Sequence, residues 1–277
     1  MPDNTSSPPR ADDLASLRAE IDTLDDTLHD LVMRRSTIVA RLAASRAKGA
    51  TIPLRPGREA SILRRLLARH AGPLPRDAIV RLWRELFASS SALQGKLSVA
   101  AFVAAPGTGL ARLAREHFGT AANIRNHPSS ARALATVTTG EAAIAVLPMP
   151  EESESPDTAW WISLDAPRLQ IIARLPFLGP AQPAALVVAP IAPDPSGDDR
   201  SLIRIEGAAD ANRVRLAATL VAAGLPARSL IVRRSGETVL ALADVDGFVT
   251  PDDPRLAAVK ARRVVSLGTY AVPMSGD

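Results

Sequence analysis

From Leu14 to Leu42 the apolar residues Leu14, Leu17, Ile21, Leu24, Leu28, Leu31, Ile38 and Leu42 recur at alternating steps of three and four. That spacing is the a/d seam of a heptad helix. It predicts one helix over residues 13–48, about 50 Å long at 1.5 Å per residue, stopped by Gly49. A helix this long cannot bury its own stripe, and the same helix of a second copy is the most economical cover. Arg35 interrupts the seam at an a position, where a buried guanidinium is costly unless it meets an anion. That anion is either an internal carboxylate such as Asp25 or a ligand. Arg46, eleven residues on, returns to within about 20° of the direction of Arg35, whereas Arg18 lies about 100° round and roughly 26 Å away along the axis. Arg18 can therefore join Arg35 and Arg46 at one small ligand only from an antiparallel second chain.

The rest of the chain reads as shorter elements. Residues 1–12 are polar and proline-rich, a disordered tail. Pro53 and Pro56 bar helix in ATIPLRPG, after which helices are expected over residues 58–70 and 76–93. From residue 96 the texture changes to a βαβαβ rhythm, with strands in LSVAAFVAA and AAIAVLP and helices in LARLAREHFG and SARALATVTTG. PEESESPDT is an acidic surface loop. Strands in LQIIARLPF and AALVVAP follow, then a Pro/Gly/Asp linker, APDPSGDDR. The last segment reads βαββαβ, the ferredoxin-like order. The expected fold class is multidomain α plus α/β. Its parts are a tail (1–12), a three-helix domain (13–95), a small α/β lobe (96–195) and a βαββαβ domain (199–274).

Three stretches occur in order: LRAEIDTLDDTLHDLVMRR at 17–35, RPGREA at 55–60 and RLWRELFASSSALQ at 81–94. Together they resemble the AroQ class of chorismate mutases, including the mutase domain of the bifunctional P-protein. The resemblance implies an intertwined helical homodimer that rearranges chorismate to prephenate without a covalent intermediate, cofactor or metal. It implies that Arg35 and the second chain's Arg18 hold the substrate carboxylates, which bidentate guanidinium groups suit. Arg58 would help at the carboxylate end. Glu59 would accept a hydrogen bond from the ring hydroxyl, near Ser90. Gln94 would meet the enolpyruvyl ether oxygen, where negative charge builds as the C–O bond breaks. Ser90 and Gln94, four apart, share a helix face. In the family a lysine usually faces the ether oxygen; the aligned residue here is Arg46, while Lys48 points about 160° away. Arg55 stands where an aspartate is common.

The region after residue 96 resembles a reduced prephenate dehydratase in SVAAFVAAPGTGLARLAREHFG and AAIAVLPMP. It lacks that family's Thr-Arg-Phe and Glu-Asn-Ser motifs, so dehydratase activity is not expected. ADVDGFV and VVSLGTYAVP resemble an ACT regulatory domain without its phenylalanine-binding motifs. The absence of cysteine excludes disulfides and thiol nucleophiles. The four histidines show no metal-ligand spacing and read as surface or packing residues. Gly107-Thr108-Gly109 lacks the third glycine of a dinucleotide loop. The formal charge of +4 comes from dispersed arginines without interleaved aromatics, so no nucleic-acid partner is expected. No apolar run of about 18 residues and no signal-like N-terminus occur, which points to a cytoplasmic protein with no membrane partner. The competing reading is a catalytically weak or inactive mutase descendant kept as a dimeric sensor or partner-binding module; Arg46 is the feature that favours it.

Overall fold

A computed structural model describes residues 11–45, 52–95, 97–103, 109–155, 157–179 and 183–276. The expected tail up to residue 10, Arg46, Lys48, the Gly49 stop and the Gly107-Thr108 turn lie outside the described residues. Two compact units are present, Met1–Ala50 and Thr51–Asp277.

The described part of the first unit is one helix, α1 (Ala11–Ala44). Thr23 and Thr27 sit inside it by donating their hydroxyls to the carbonyls of Ala19 (2.9 Å) and Thr23 (3.0 Å), which satisfies them without opening the helix. The seam is uncovered in the single chain: Leu17, Ile21, Leu24, Leu28, Leu31, Ile38 and Leu42 are each 54–63% exposed. Seven large apolar side chains left this wet along one line are costly unless another surface covers them.

In the second unit, α2 (Pro56–Ala68) and α3 (Arg76–Ala92) come first. Pro56, expected to bar helix, instead opens α2. At the first helical position its missing N–H has no partner to lose, and its fixed φ suits the helix. The strands β1 (Ser98–Phe102), β2 (Asn123–His127) and β3 (Ile144–Pro148) alternate with α4 (Leu110–Phe118) and α5 (Ser130–Thr138). β1 lies parallel to both β2 and β3. β5 (Ala185–Ala189) then pairs antiparallel with β3 and with β4 (Gln170–Leu175). The last stretch runs β6 (Asp199–Gly207), α6 (Arg213–Ala222), β7 (Ala227–Ser235), β8 (Thr238–Asp246), α7 (Pro254–Ala258), β9 (Arg263–Ala271), the expected βαββαβ order.

All nine strands form one sheet, β2-β1-β3-β5-β4-β9-β6-β8-β7. Residues 96–195 and 199–274, expected as separate domains, are thus continuous. They join where β4 runs parallel to β9, with Ile171 opposite Gly268. A Cβ on Gly268 would lie 2.2 Å from the Ile171 carbonyl oxygen, and its φ is +126°, so only glycine lets the strands meet there. The apolar core crosses the junction too: Trp161, Ile171 and Leu186 share a cluster with Leu202, Leu267 and Tyr270. Arg204 on β6 adds a polar tie, donating to the carbonyls of Trp161 (3.2 Å), Ile162 (2.7 Å) and Leu164 (3.1 Å).

The stretch APDPSGDDR, read as a linker, is a structured clasp on α2. Asp194 accepts the backbone N–H groups of Gly57 (Oδ1, 3.0 Å) and Arg58 (Oδ2, 3.0 Å), supplying from 137 residues away the cap that Arg55 does not. Arg64 donates to the carbonyls of Ser196 (3.1 Å), Asp198 (2.8 Å) and Val272 (2.8 Å). These bonds explain why α2 and α3 group with the sheet rather than with α1, across the 13–95 segment expected as one domain.

Candidate functional site

The first turn of α2 and the middle of α3 bring together a buried ionic cluster. Arg84 on α3 is 4% exposed. It donates from Nη1 to Oε2 of Glu59 at 2.7 Å, and the same nitrogen lies 3.3 Å from His117 Nε2 at the end of α4. A guanidinium can only donate, so Nε2 accepts and the imidazole carries its proton on Nδ1. The guanidinium also lies 6.0 Å from the Phe87 ring centroid and 5.8 Å from that of Phe177, within cation–π range. Ala60, Leu63, Phe87 and Phe177 enclose the cluster with apolar surface.

Electrostatics follow from that enclosure. Burial raises the Glu59 pKa; Arg84, by charge and hydrogen bond, pulls it back, and the Asp194 carboxylate adds a smaller upward push. Burial depresses the His117 pKa well below its ordinary value, and the Arg84 charge depresses it further. His117 is therefore neutral at neutral pH. Only Oε2 of Glu59 is hydrogen-bonded among the described residues, so Oε1 remains an open acceptor.

The other sequence-derived site residues fall as follows. Arg18 is exposed on α1 and Arg35 half-buried, with burial lowering the Arg35 pKa; both belong to the first unit. Arg46 is outside the described residues. Arg58 is exposed on the first turn of α2, where its backbone N–H meets Asp194. Ser90 and Gln94 come together at the end of α3. Ser90 Oγ donates to the Leu86 carbonyl at 2.6 Å, and Gln94 Nε2 donates to the Ser90 carbonyl at 2.9 Å. Glu59 is held by Arg84, a partner the sequence reading did not name. The signal for Arg84 was present: Val80, Arg84, Phe87 and Ser91 follow the four-three-four spacing of one helix face. An arginine on that face poses the same question as Arg35 on the seam. His117 carried no such signal, since only the fold brings α4 against α3.

Among the described residues no group of three or more His, Asp or Glu side chains could hold a metal ion, and no helix is long and apolar enough to cross a membrane.

Part of the chain is similar to known proteins. Residues 17–95 match the chorismate mutase type II family, so the resemblance carried by the three sequence stretches holds over that segment. Similar proteins include bifunctional chorismate mutase/prephenate dehydratases. That of Pseudomonas aeruginosa is 36% identical over 115 residues, covering 40% of this chain and 31% of that protein. That of Stutzerimonas stutzeri is 31% identical over 151 residues, covering 52% and 40% respectively. The matches thus span about a third to two-fifths of these relatives. Among solved structures, a prephenate dehydratase from Arthrobacter aurescens in complex with L-Phe is similar over 65% of this chain and 93% of its own, at 14% identity and a TM-score of 0.48. GqqA, described as a novel type of quorum-quenching acylase, covers 64% and 95% at 17% identity and a TM-score of 0.49.

Proposed function

We propose that the chain is a chorismate mutase, converting chorismate to prephenate at sites shared between two copies. The observation that carries this reading is the family match over residues 17–95, the segment that holds Arg18, Arg35, Arg46, Arg58, Glu59, Ser90 and Gln94. The uncovered seam of α1 supports the second copy, because a matching helix would bury all seven of its exposed apolar side chains.

Arg35 of one copy and Arg18 of the other would grip the two carboxylates and fold the flexible dianion into its reactive conformer. Fixing that conformer lowers the entropic part of the barrier. Arg58 assists at the carboxylate end. Arg46 and Gln94 meet the ether oxygen, where charge develops, and so favour the transition state over the ground state. The open Oε1 of Glu59 suits it to accept a hydrogen bond from the ring hydroxyl, with Ser90 alongside, while Arg84 offsets part of the rise that burial imposes on the carboxyl pKa. The chemistry needs neither cofactor nor metal.

In this reading the mutase segment is 13–95, and 199–274 is an ACT-like module without the motifs for phenylalanine. Residues 96–195 retain a dehydratase-like lobe that performs no dehydration, since the Thr-Arg-Phe motif is missing. The test is to follow loss of chorismate absorbance with the purified chain, then to offer prephenate. Turnover of chorismate and none of prephenate is expected. No loss of chorismate would overturn the proposal in favour of a mutase-derived dimer that senses or binds a partner.

A further inference from the structure

A cavity of about 840 Å³ lies within the second unit, between the start of α3, the face of α4 and the Pro176–Gly179 loop. Its volume is that of a small-molecule site. Arg58, Glu59, Ser90 and Gln94 do not line it, whereas Arg84 and His117, which back Glu59, do, so it lies behind the Glu59 cluster. Val80, Leu113, Phe177 and Leu178 supply apolar wall.

The charges of the cavity do not cancel. Its two carboxylates are each matched on their own helix: Asp77 by Arg81, and Glu116 by Arg112, both four residues apart. Arg84 is matched by Glu59. Arg76, on the first turn of α3, is part-exposed at the cavity and has no carboxylate partner among the described residues. Arg84 also lines the cavity, and its hydrogen bonds among the described residues run through Nη1. The lining thus carries one guanidinium in excess of its matched carboxylates, a surplus positive charge that draws an anion into the cavity.

We propose that this cavity binds a small organic monocarboxylate. The charge balance calls for one negative charge, which Arg76 would hold by a charge-assisted hydrogen bond. The wall calls for an apolar body of a few carbons or a single ring, lying between Val80, Leu113 and Phe177. A dianion would leave one charge unmatched, and an uncharged ligand would leave Arg76 unpaired.

The test is isothermal titration of the full chain with hydrocinnamate and with its neutral isostere 3-phenylpropanamide. Hydrocinnamate is expected to bind saturably at one site per chain, and the amide roughly tenfold more weakly or worse, about the effect of one charge-assisted bond. Arg76→Gln should weaken hydrocinnamate to the level of the amide, and Val80→Trp should abolish binding by filling the cavity. Arg76 makes no ion pair among the described residues, so its variant decides the matter even if Val80→Trp unfolds. Absence of saturable binding, equal binding of acid and amide, or unchanged binding by Arg76→Gln would overturn the proposal. None of these readouts depends on chorismate turnover.

Discussion

Replacing Arg84 by methionine should destabilise the second unit by about 3 kcal/mol at neutral pH. Arg84 and Glu59 meet at 2.7 Å with side chains 5% and 14% exposed. Removing one partner of a buried pair costs about 3–5 kcal/mol, because the other charge is left uncompensated. The lower end applies because Oε1 of Glu59 is not enclosed by hydrogen-bond partners. Adding Glu59→Gln should recover part of the loss, with a coupling of about 2 kcal/mol in the double-mutant cycle. Urea unfolding of the four proteins measures this, with circular dichroism and tryptophan fluorescence as independent probes. The pH dependence has a definite sign. Glu59 has a raised folded pKa, so its neutral form favours folding at acid pH and that contribution is lost as pH rises through the raised value. Without Arg84 the value rises further, so the penalty of the variant should shrink on acidification. His117 acts in the same direction. Its folded pKa is depressed by burial and then by Arg84, so the parent loses stability as pH falls below the ordinary histidine value, and the variant loses less. A penalty under about 1 kcal/mol at neutral pH, or one that grows in acid, would refute the cluster as described.

Two further perturbations test the fold around the site. Gly268→Ala places a Cβ against the Ile171 carbonyl at 2.2 Å and in a left-handed backbone conformation; a loss of about 3 kcal/mol or more is expected in thermal or urea unfolding. Asp194→Ala removes the acceptor for the Gly57 and Arg58 N–H groups and should cost about 1–2 kcal/mol, with faster amide exchange confined to the first turn of α2.

The helices and most strands were legible because their periodicities are local. The heptad steps mark α1, and short apolar runs mark β1, β3, β4 and β5. β2 was not, since Asn-Ile-Arg-Asn-His on a sheet edge carries neither alternation nor an apolar run. Pro56 misled because proline bars the interior of a helix but suits its first position. The role of Asp194 was hidden in a stretch whose Pro/Gly/Asp composition reads as a linker, and capping across 137 residues leaves no local trace. The boundary expected near residue 195 failed for the same kind of reason: one glycine, Gly268, lets two half-sheets fuse. For the site, the carboxylate-binding arginines and the Ser90–Gln94 pair were visible as spacings, whereas the partner of Glu59 depends on how α2, α3 and α4 pack.

The claim that the site is shared between two chains is tested most directly by mixing two inactive variants. Arg18→Ala and Arg35→Ala homodimers should each fail to consume chorismate. After unfolding and refolding together at equal concentration, half the dimers are mixed, and each mixed dimer has one site with both arginines intact. A shared site predicts recovery of about a quarter of the parental rate. Failure of the mixture to turn over chorismate, while the refolded parent does, would contradict it, as would full activity of either variant alone.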